Sequence, residues 1–274
     1  MILVTGATGN VGRALMEVLR DRDDVIAGVR EPDGMPQSRK FDFTDEETWA
    51  PALFGVRSLF LLLPPGLPKA QDCFRGVLAK AGRAGVERVV FNSIRNADRL
   101  KVLPHRGLEQ VIEESGIAWT HLRPNDWMQN FATQPIYRDG IRDGKLWAAG
   151  GESRTSYLDV RDLAEVAAKA LDGGYERTAL SLTGPANLSL RDVAATLTEV
   201  LGRHVNYRHP SLPGFALHAR QQGAPWALAA VMTSIGLVAR LGYSDGIDPD
   251  LQRVLGRPSR SFAQFARDYR EAWA

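Results

Sequence analysis

A single cysteine, Cys73, stands among the 274 residues. That excludes an internal disulfide framework and fits a reducing compartment. Excess charge of either sign is also missing, since 34 basic residues against 32 acidic ones leave +2. No basic run breaks that balance, so a surface tracking nucleic acid phosphates is not expected. Long apolar runs are lacking too. The most apolar stretch, 226–241, is interrupted by Thr233, Ser234, Gly236 and Arg240 and is short for a membrane span of about 20 residues. It reads as a buried or cap helix. The N-terminus lacks the basic and apolar regions of a secretory signal. Histidines number only five, and His121, His204, His209 and His218 have no partners at ligand spacing, so no metal site is expected. These absences leave a cytoplasmic protein, monomer or homodimer, whose partner is a small-molecule substrate and neither nucleic acid nor membrane.

Against these absences stands a hydrophobic content of 44%, enough for a sizeable core. The first half alternates strand-like and helix-like segments. Strands are expected over 2–5, 25–29, a short piece ending at Phe41, 58–63, 86–91 and 119–122. The nearly continuous apolar run 58–63 suits a strand buried on both faces of a parallel sheet. Thr44 reads as the N-cap of a helix through Trp49 to Leu53, with Glu47 as its capping-box partner. Ser189 with Asp192 repeats that pattern in weaker form. The βαβα order predicts an α/β fold, a doubly wound parallel sheet of Rossmann type. Residues 1–130 form that core. Residues 131–274 form a smaller, mostly helical C-terminal substrate lobe, from which 153–183 returns to the sheet.

Thr5-Gly6-Ala7-Thr8-Gly9-Asn10-Val11-Gly12-Arg13 joins the first strand to the first helix. Gly6 permits the tight turn, Gly9 lets backbone approach a pyrophosphate, and Gly12 allows close packing of helix on strand. The helix N-terminus then offers free N–H groups to phosphates. This context, strand before and helix after, points to a dinucleotide. An acidic residue ending the second strand would hydrogen-bond the ribose of NAD. Arg30 stands there instead, which suits the 2′-phosphate of NADP and predicts NADPH in preference to NADH. The bland reading of Arg30 is a solvated surface arginine. Asp42 and Phe43 follow the third strand, where Phe43 either stacks near adenine or belongs to a helix start. Leu63 and Pro64 end the fourth strand and either line the cofactor crevice or form only a rigid turn.

Together with Ala84-Gly85-Val86-Glu87-Arg88-Val89-Val90, Asn92-Ser93, Trp119 to Pro124, Trp127 to Asn130, Asp159 to Ala164 and Leu182 to Pro185, this loop resembles the atypical short-chain dehydrogenase/reductases, specifically the NmrA-like NAD(P)H-binding group. The resemblance covers nearly the whole chain. The group includes quinone reductases, alkaloid-type reductases and cofactor-sensing regulators. It implies that Gly6, Thr8, Gly9, Asn10 and Val11 hold the pyrophosphate and that Arg30 faces the 2′-phosphate. It puts Ser93 and Ile94 beside the nicotinamide, with Ser93 a candidate catalytic group. Pro124 borders the nicotinamide, and Asn125, Trp127, Met128 and Phe131 form the substrate wall. Trp127 and Phe131 read equally as core residues.

Ordinary short-chain dehydrogenases carry tyrosine and, four residues on, lysine. No tyrosine here has lysine at that spacing, and Tyr157 has Arg161 instead. His105 and Glu109, four apart on one helix face, offer a substitute acid with a carboxylate to support its charged form. The alternative is an exposed polar pair. Without the usual acid, hydride acceptors that spread incoming charge, such as quinones, imines or iminium ions and activated alkenes, fit best. A non-catalytic NADP(H)-sensing regulator and a cofactor-retaining epimerase or isomerase are the alternatives.

Overall fold

The computed structural model describes residues 1–32, 34–100 and 103–274. The chain begins with β1 (Ile2–Thr5), α1 (Asn10–Val18), β2 (Val25–Val29), β3 (Ser38–Lys40), α2 (Trp49–Leu53), β4 (Ser58–Leu62), α3 (Ala70–Arg83), β5 (Arg88–Asn92), α4 (Pro104–Glu114) and β6 (Ala118–Pro124). It continues through α5 (Asn130–Thr133), α6 (Pro135–Arg142), β7 (Lys145–Trp147) and β8 (Arg154–Thr155), then α7 (Val160–Asp172) and β9 (Thr178–Leu182). Last come β10 (Leu188–Ser189), α8 (Leu190–Leu201), β11 (Asn206–Arg208), α9 (Leu212–Gln221), α10 (Trp226–Arg240), α11 (Asp250–Leu255) and α12 (Phe262–Asp268). Two units result, one of residues 1–124 and 160–182, the other of 125–159 and 183–274.

In the first unit seven strands form one sheet, ordered β3-β2-β1-β4-β5-β6-β9. Every neighbouring pair is parallel. Every residue of β1 and β2 is buried, as apolar strands covered on both faces must be. The doubly wound sheet read from the sequence is therefore present. Its strand order reverses between β1 and β4, which makes the C-terminal ends of these strands the place for a ligand. The third strand ends at Lys40, and Phe41 after it is already core.

The expected cap at Thr44 is not the one formed. Thr44 donates both its backbone N–H and its hydroxyl to Asp42 Oδ1, each at 2.8 Å. Asp45 instead accepts from Glu47 N and starts a 3-10 turn, Glu46–Thr48, ahead of α2. The Asp45 carboxylate takes the N–H two residues on, which closes a tight turn in place of the three-residue capping box expected from Thr44 to Glu47.

In the second unit Phe131, Tyr157 and Phe262 meet edge-on or tilted with centroids 5.2 to 6.4 Å apart. Ser189 and Asp192 form a complete capping box on α8. Residues 125–130 and 153–159, which the sequence reading grouped with the sheet, lie here. Their backbone explains it: Leu158 N donates to Asp126 O at 2.8 Å and Met128 N to Leu158 O at 2.9 Å, so the two segments bind each other.

Candidate cofactor-binding site

β1 ends at Thr5, whose hydroxyl donates to Phe60 O at 2.9 Å and ties it to β4. Gly6 then takes φ +63°, a conformation that strains any residue with a side chain. A Cβ there would lie 2.5 Å from Leu62 Cδ2. Gly9 N closes the turn on Gly6 O at 3.0 Å. A Cβ on Gly12 would come 2.1 Å from Gly6 O and 2.7 Å from Ala7 Cα, so α1 rests directly on the loop backbone. Thr8 and Gly9 are exposed and Asn10 half-buried, while the Val11 side chain is core. Gly9 gives α1 no side-chain cap, and its first turn holds no acidic residue. A helix start without its own anion or cap suits a phosphate supplied from outside. The loop therefore fits a dinucleotide on its geometry.

Arg30, at the end of β2, is exposed. Among the described residues it makes no hydrogen bond or ion pair. Asp42 is half-buried, and its carboxyl is held below the usual range by the Thr44 N–H, and more weakly by the Arg30 charge nearby. The Phe43 ring is not presented to a ligand. It is 6% exposed and stacks on Phe74 at 5.2 Å with Phe41 edge-on at 5.0 Å. Core packing claims the ring because α3 offers Phe74 directly opposite. Leu63 and Pro64 are half-buried after β4.

After β5 the loop is fastened to β6. Ser93 N donates to Leu122 O at 2.8 Å and Arg95 N to Pro124 O at 2.9 Å. Ile94 between them is half-buried, and Pro124 is buried. The Ser93 hydroxyl donates to Glu109 Oε1 at 2.7 Å, so its proton is already engaged. Glu109 is fully buried. Arg123 grips it with Nε at 2.9 Å and Nη2 at 2.8 Å, and Arg106 adds a contact at 3.1 Å. Burial works to raise the Glu109 carboxyl, but the bonds from Arg123 and Ser93 outweigh it and leave it below the usual range. Sequence reasoning named Glu109 only as a helper for His105. The network joins residues from the β5 end, α4 and β6, and no local spacing announces it.

His105 differs from its expected role for that reason. Glu109's oxygens are taken by Ser93, Arg123 and Arg106, and burial pushes the imidazole down to about 4. At neutral pH it is uncharged. The pair is not an exposed one either, since Glu109 is buried. Buried Nδ1 of His105, on α4, and Oδ1 of Asn92, the last residue of β5, lack partners among the described residues. Glu109, Glu113 and His121 stand close enough to hold a metal ion. Arg106, 2.8 Å from Glu113 and 3.1 Å from Glu109, already supplies the positive charge there.

In the second unit, Asn125 donates to Ser156 Oγ at 2.7 Å and Ser244 O at 2.8 Å. Met128 and Phe131 are 1% and 4% exposed within that unit's core, which takes the side chains expected as substrate wall. Only Trp127 of the four is half-buried. Asp126 went unnoticed in the sequence. Burial raises its carboxyl to about 6, and the hydroxyls of half-buried Tyr137 and buried Tyr157 nearby are pushed up by desolvation and by its charge.

A family model described as NAD(P)H-binding matches residues 6–174. The chain belongs to that family. The NAD(P)H azoreductase of Xenophilus azovorans is 33% identical, covering 100% of this chain and 99% of the relative. A (4-alkanoyl-5-oxo-2,5-dihydrofuran-3-yl)methyl phosphate reductase of Streptomyces griseus is 31% identical with the same coverage. Among solved structures, the NADPH-dependent quinone oxidoreductase of Escherichia coli complexed with NADPH superposes with a TM-score of 0.87, at 26% identity and over 100% of both chains. The expected resemblance is thus borne out, and this member is an NAD(P)H-dependent oxidoreductase.

Proposed function

We propose that the protein is a reductase that uses NADPH and passes hydride to a small, flat, conjugated acceptor, a quinone, an imine or iminium ion, or an activated alkene. The observation carrying this reading is that neither side chain expected to give a proton is poised to do so. His105 is held neutral by burial, and Ser93 directs its hydroxyl at Glu109. Reducing an unactivated ketone creates an alkoxide that needs a proton at once, whereas conjugated acceptors delocalise the incoming charge and iminium ions become neutral. The names of the relatives, an azoreductase, a dihydrofuranone reductase and a quinone oxidoreductase, support acceptors of that kind.

In this reading the loop 6–12 seats the pyrophosphate on the start of α1, and Arg30 pairs with the 2′-phosphate. Bound NADPH supplies the hydride. Ser93 and Ile94, clamped to β6, form a rigid ledge for the nicotinamide. The Glu109–Arg123 pair holds that ledge in place and does not itself react. The test is NADPH oxidation by the purified protein, followed at 340 nm with panels of quinones, cyclic imines and conjugated enones. Turnover with at least one panel and none with simple ketones is expected. Tight NADPH binding with no turnover on any panel would replace this reading with that of a sensor.

A further inference from the structure

The second unit carries a helix built the wrong way round for a monomer. On α10 the residues turned inward are small or flexible: Ala229, Met232, Gly236 and Ala239 are buried. The inner contact is at backbone distance, since a Cβ on Gly236 would fall 2.3 Å from Ala149 Cβ. The large side chains point out. Trp226 is 63% exposed, Leu228 39%, Val231 51%, Ile235 40%, Leu237 44%, and Leu241, just past the helix, 64%. No charged residue occurs between Trp226 and Ala239. A helix on a protein surface normally reverses this pattern, with its apolar stripe inward and charge outward.

The rim offers no free charge to choose a differently charged partner. Arg240 points Nε at Ala149 O and Nη2 at Pro210 O, and Arg220 lies over the Trp226 ring with Nη1 on Ala224 O. No lysine follows Lys169. A helix lying in a lipid surface would instead be ringed by cationic side chains. Six large side chains at these exposures, with Leu217 of α9 at 56%, present on the order of 600 Å² of apolar surface, taking roughly 150 Å² for each aliphatic chain and about 250 Å² for the tryptophan ring. That stands at the top of the roughly 300–600 Å² range of the largest patch on a typical monomer. It falls at the lower end of the roughly 600–1,000 Å² that each partner gives to a standard-size interface.

We infer that the outer face of α10 is a homodimer interface, on which the same face of a second copy packs about a two-fold axis. An isologous contact needs one self-complementary patch, and an uncharged helix face supplies it without like charges meeting. Ser234, the polar residue in the middle of the outward face, lies near the axis, and the two copies of α10 cross there.

Sedimentation velocity on the full chain reads the state directly. A species of twice 30.1 kDa is expected at micromolar concentration. Val231→Glu and, separately, Ile235→Lys shift dimer dissociation at least a hundredfold towards monomer, with circular dichroism unchanged. Phe54→Glu, at a residue 77% exposed in the first unit, leaves the dimer intact. Oxidising a Ser234→Cys variant in a Cys73→Ser background crosslinks it into a covalent dimer. A monomeric wild-type chain, a dimer that survives both charged substitutions, or flotation of the protein with phosphatidylglycerol vesicles while it stays monomeric in solution would each overturn the inference.

Discussion

Arg30 and Glu109 carry opposite lessons about single charges. Arg30 is exposed, and nothing in the described protein satisfies it, so its role is read from position and from what it lacks. Charge-assisted bonds to a phosphate contribute about 1.5–3 kcal/mol. Arg30→Ala should therefore weaken NADPH about ten- to a hundredfold while changing NADH by less than threefold, as measured by fluorescence titration with both coenzymes. Equal weakening of the two would remove the 2′-phosphate assignment. Glu109 has no exposure at all and four bonds to it. Removing one partner leaves a buried charge uncompensated, which costs about 3–5 kcal/mol. Arg123→Ala should lower stability in urea by that order. Arg106→Ala, whose side chain is 28% exposed at the edge of the network, should cost distinctly less. If the two substitutions cost the same, Arg123 is not the principal counterion.

At the scale of elements, the glycine loop was legible because its parts are contiguous: β1, the turn and α1 follow within seventeen residues. Gly12 makes this concrete. Its missing Cβ would sit 2.1 Å from Gly6 O, against backbone that cannot swing aside. Gly12→Ala must push α1 off the loop, and overpacking of this kind costs about 1–3 kcal/mol. The same displacement would disturb the phosphate seat proposed for this loop, so the variant should lose both melting temperature and most NADPH affinity; normal affinity with lowered stability would separate α1 packing from the site. The strands were legible for the same local reason, short apolar runs ended by glycine, proline or asparagine. What stayed hidden was assembled from distant pieces. Ser93, Arg106, Glu109 and Arg123 meet only once β5, α4 and β6 are side by side, and spacing along α4 suggested His105 as Glu109's partner instead. Phe43 was misplaced for a similar reason, because Phe74, its stacking partner, lies 31 positions on. The capping of 45–53 failed by one residue, since Thr44 and Asp45 are both good caps and only the turn geometry decides between them.

For the whole molecule, the desolvated titratable groups set how stability responds to acid. Burial brings His105 and His121 down to about 4, against about 6.5 when unfolded. Each depressed histidine favours the fold fully above pH 6.5. That contribution is lost as pH falls towards 4, because the unfolded chain takes up the proton first. Asp126 runs the other way: raised to about 6, it is protonated in the fold while still charged in the unfolded chain, so it stabilises the fold as pH drops from 6 towards 3.8. Glu109, held low, matters only further down, below about 4.5. Between pH 6 and 4 two histidines act against one carboxyl, so stability should fall on acidification with a slope of about 1.4 kcal/mol per pH unit, the equivalent of one proton. Asp126→Asn removes the opposing group and should steepen the fall towards two protons, whereas His121→Gln should nearly flatten it. Urea unfolding at half-unit steps from pH 4 to 7 reads all three slopes. A wild-type curve flat across that range, or an Asp126→Asn curve shallower than wild type, would mean that these titrating groups are not desolvated in the fold.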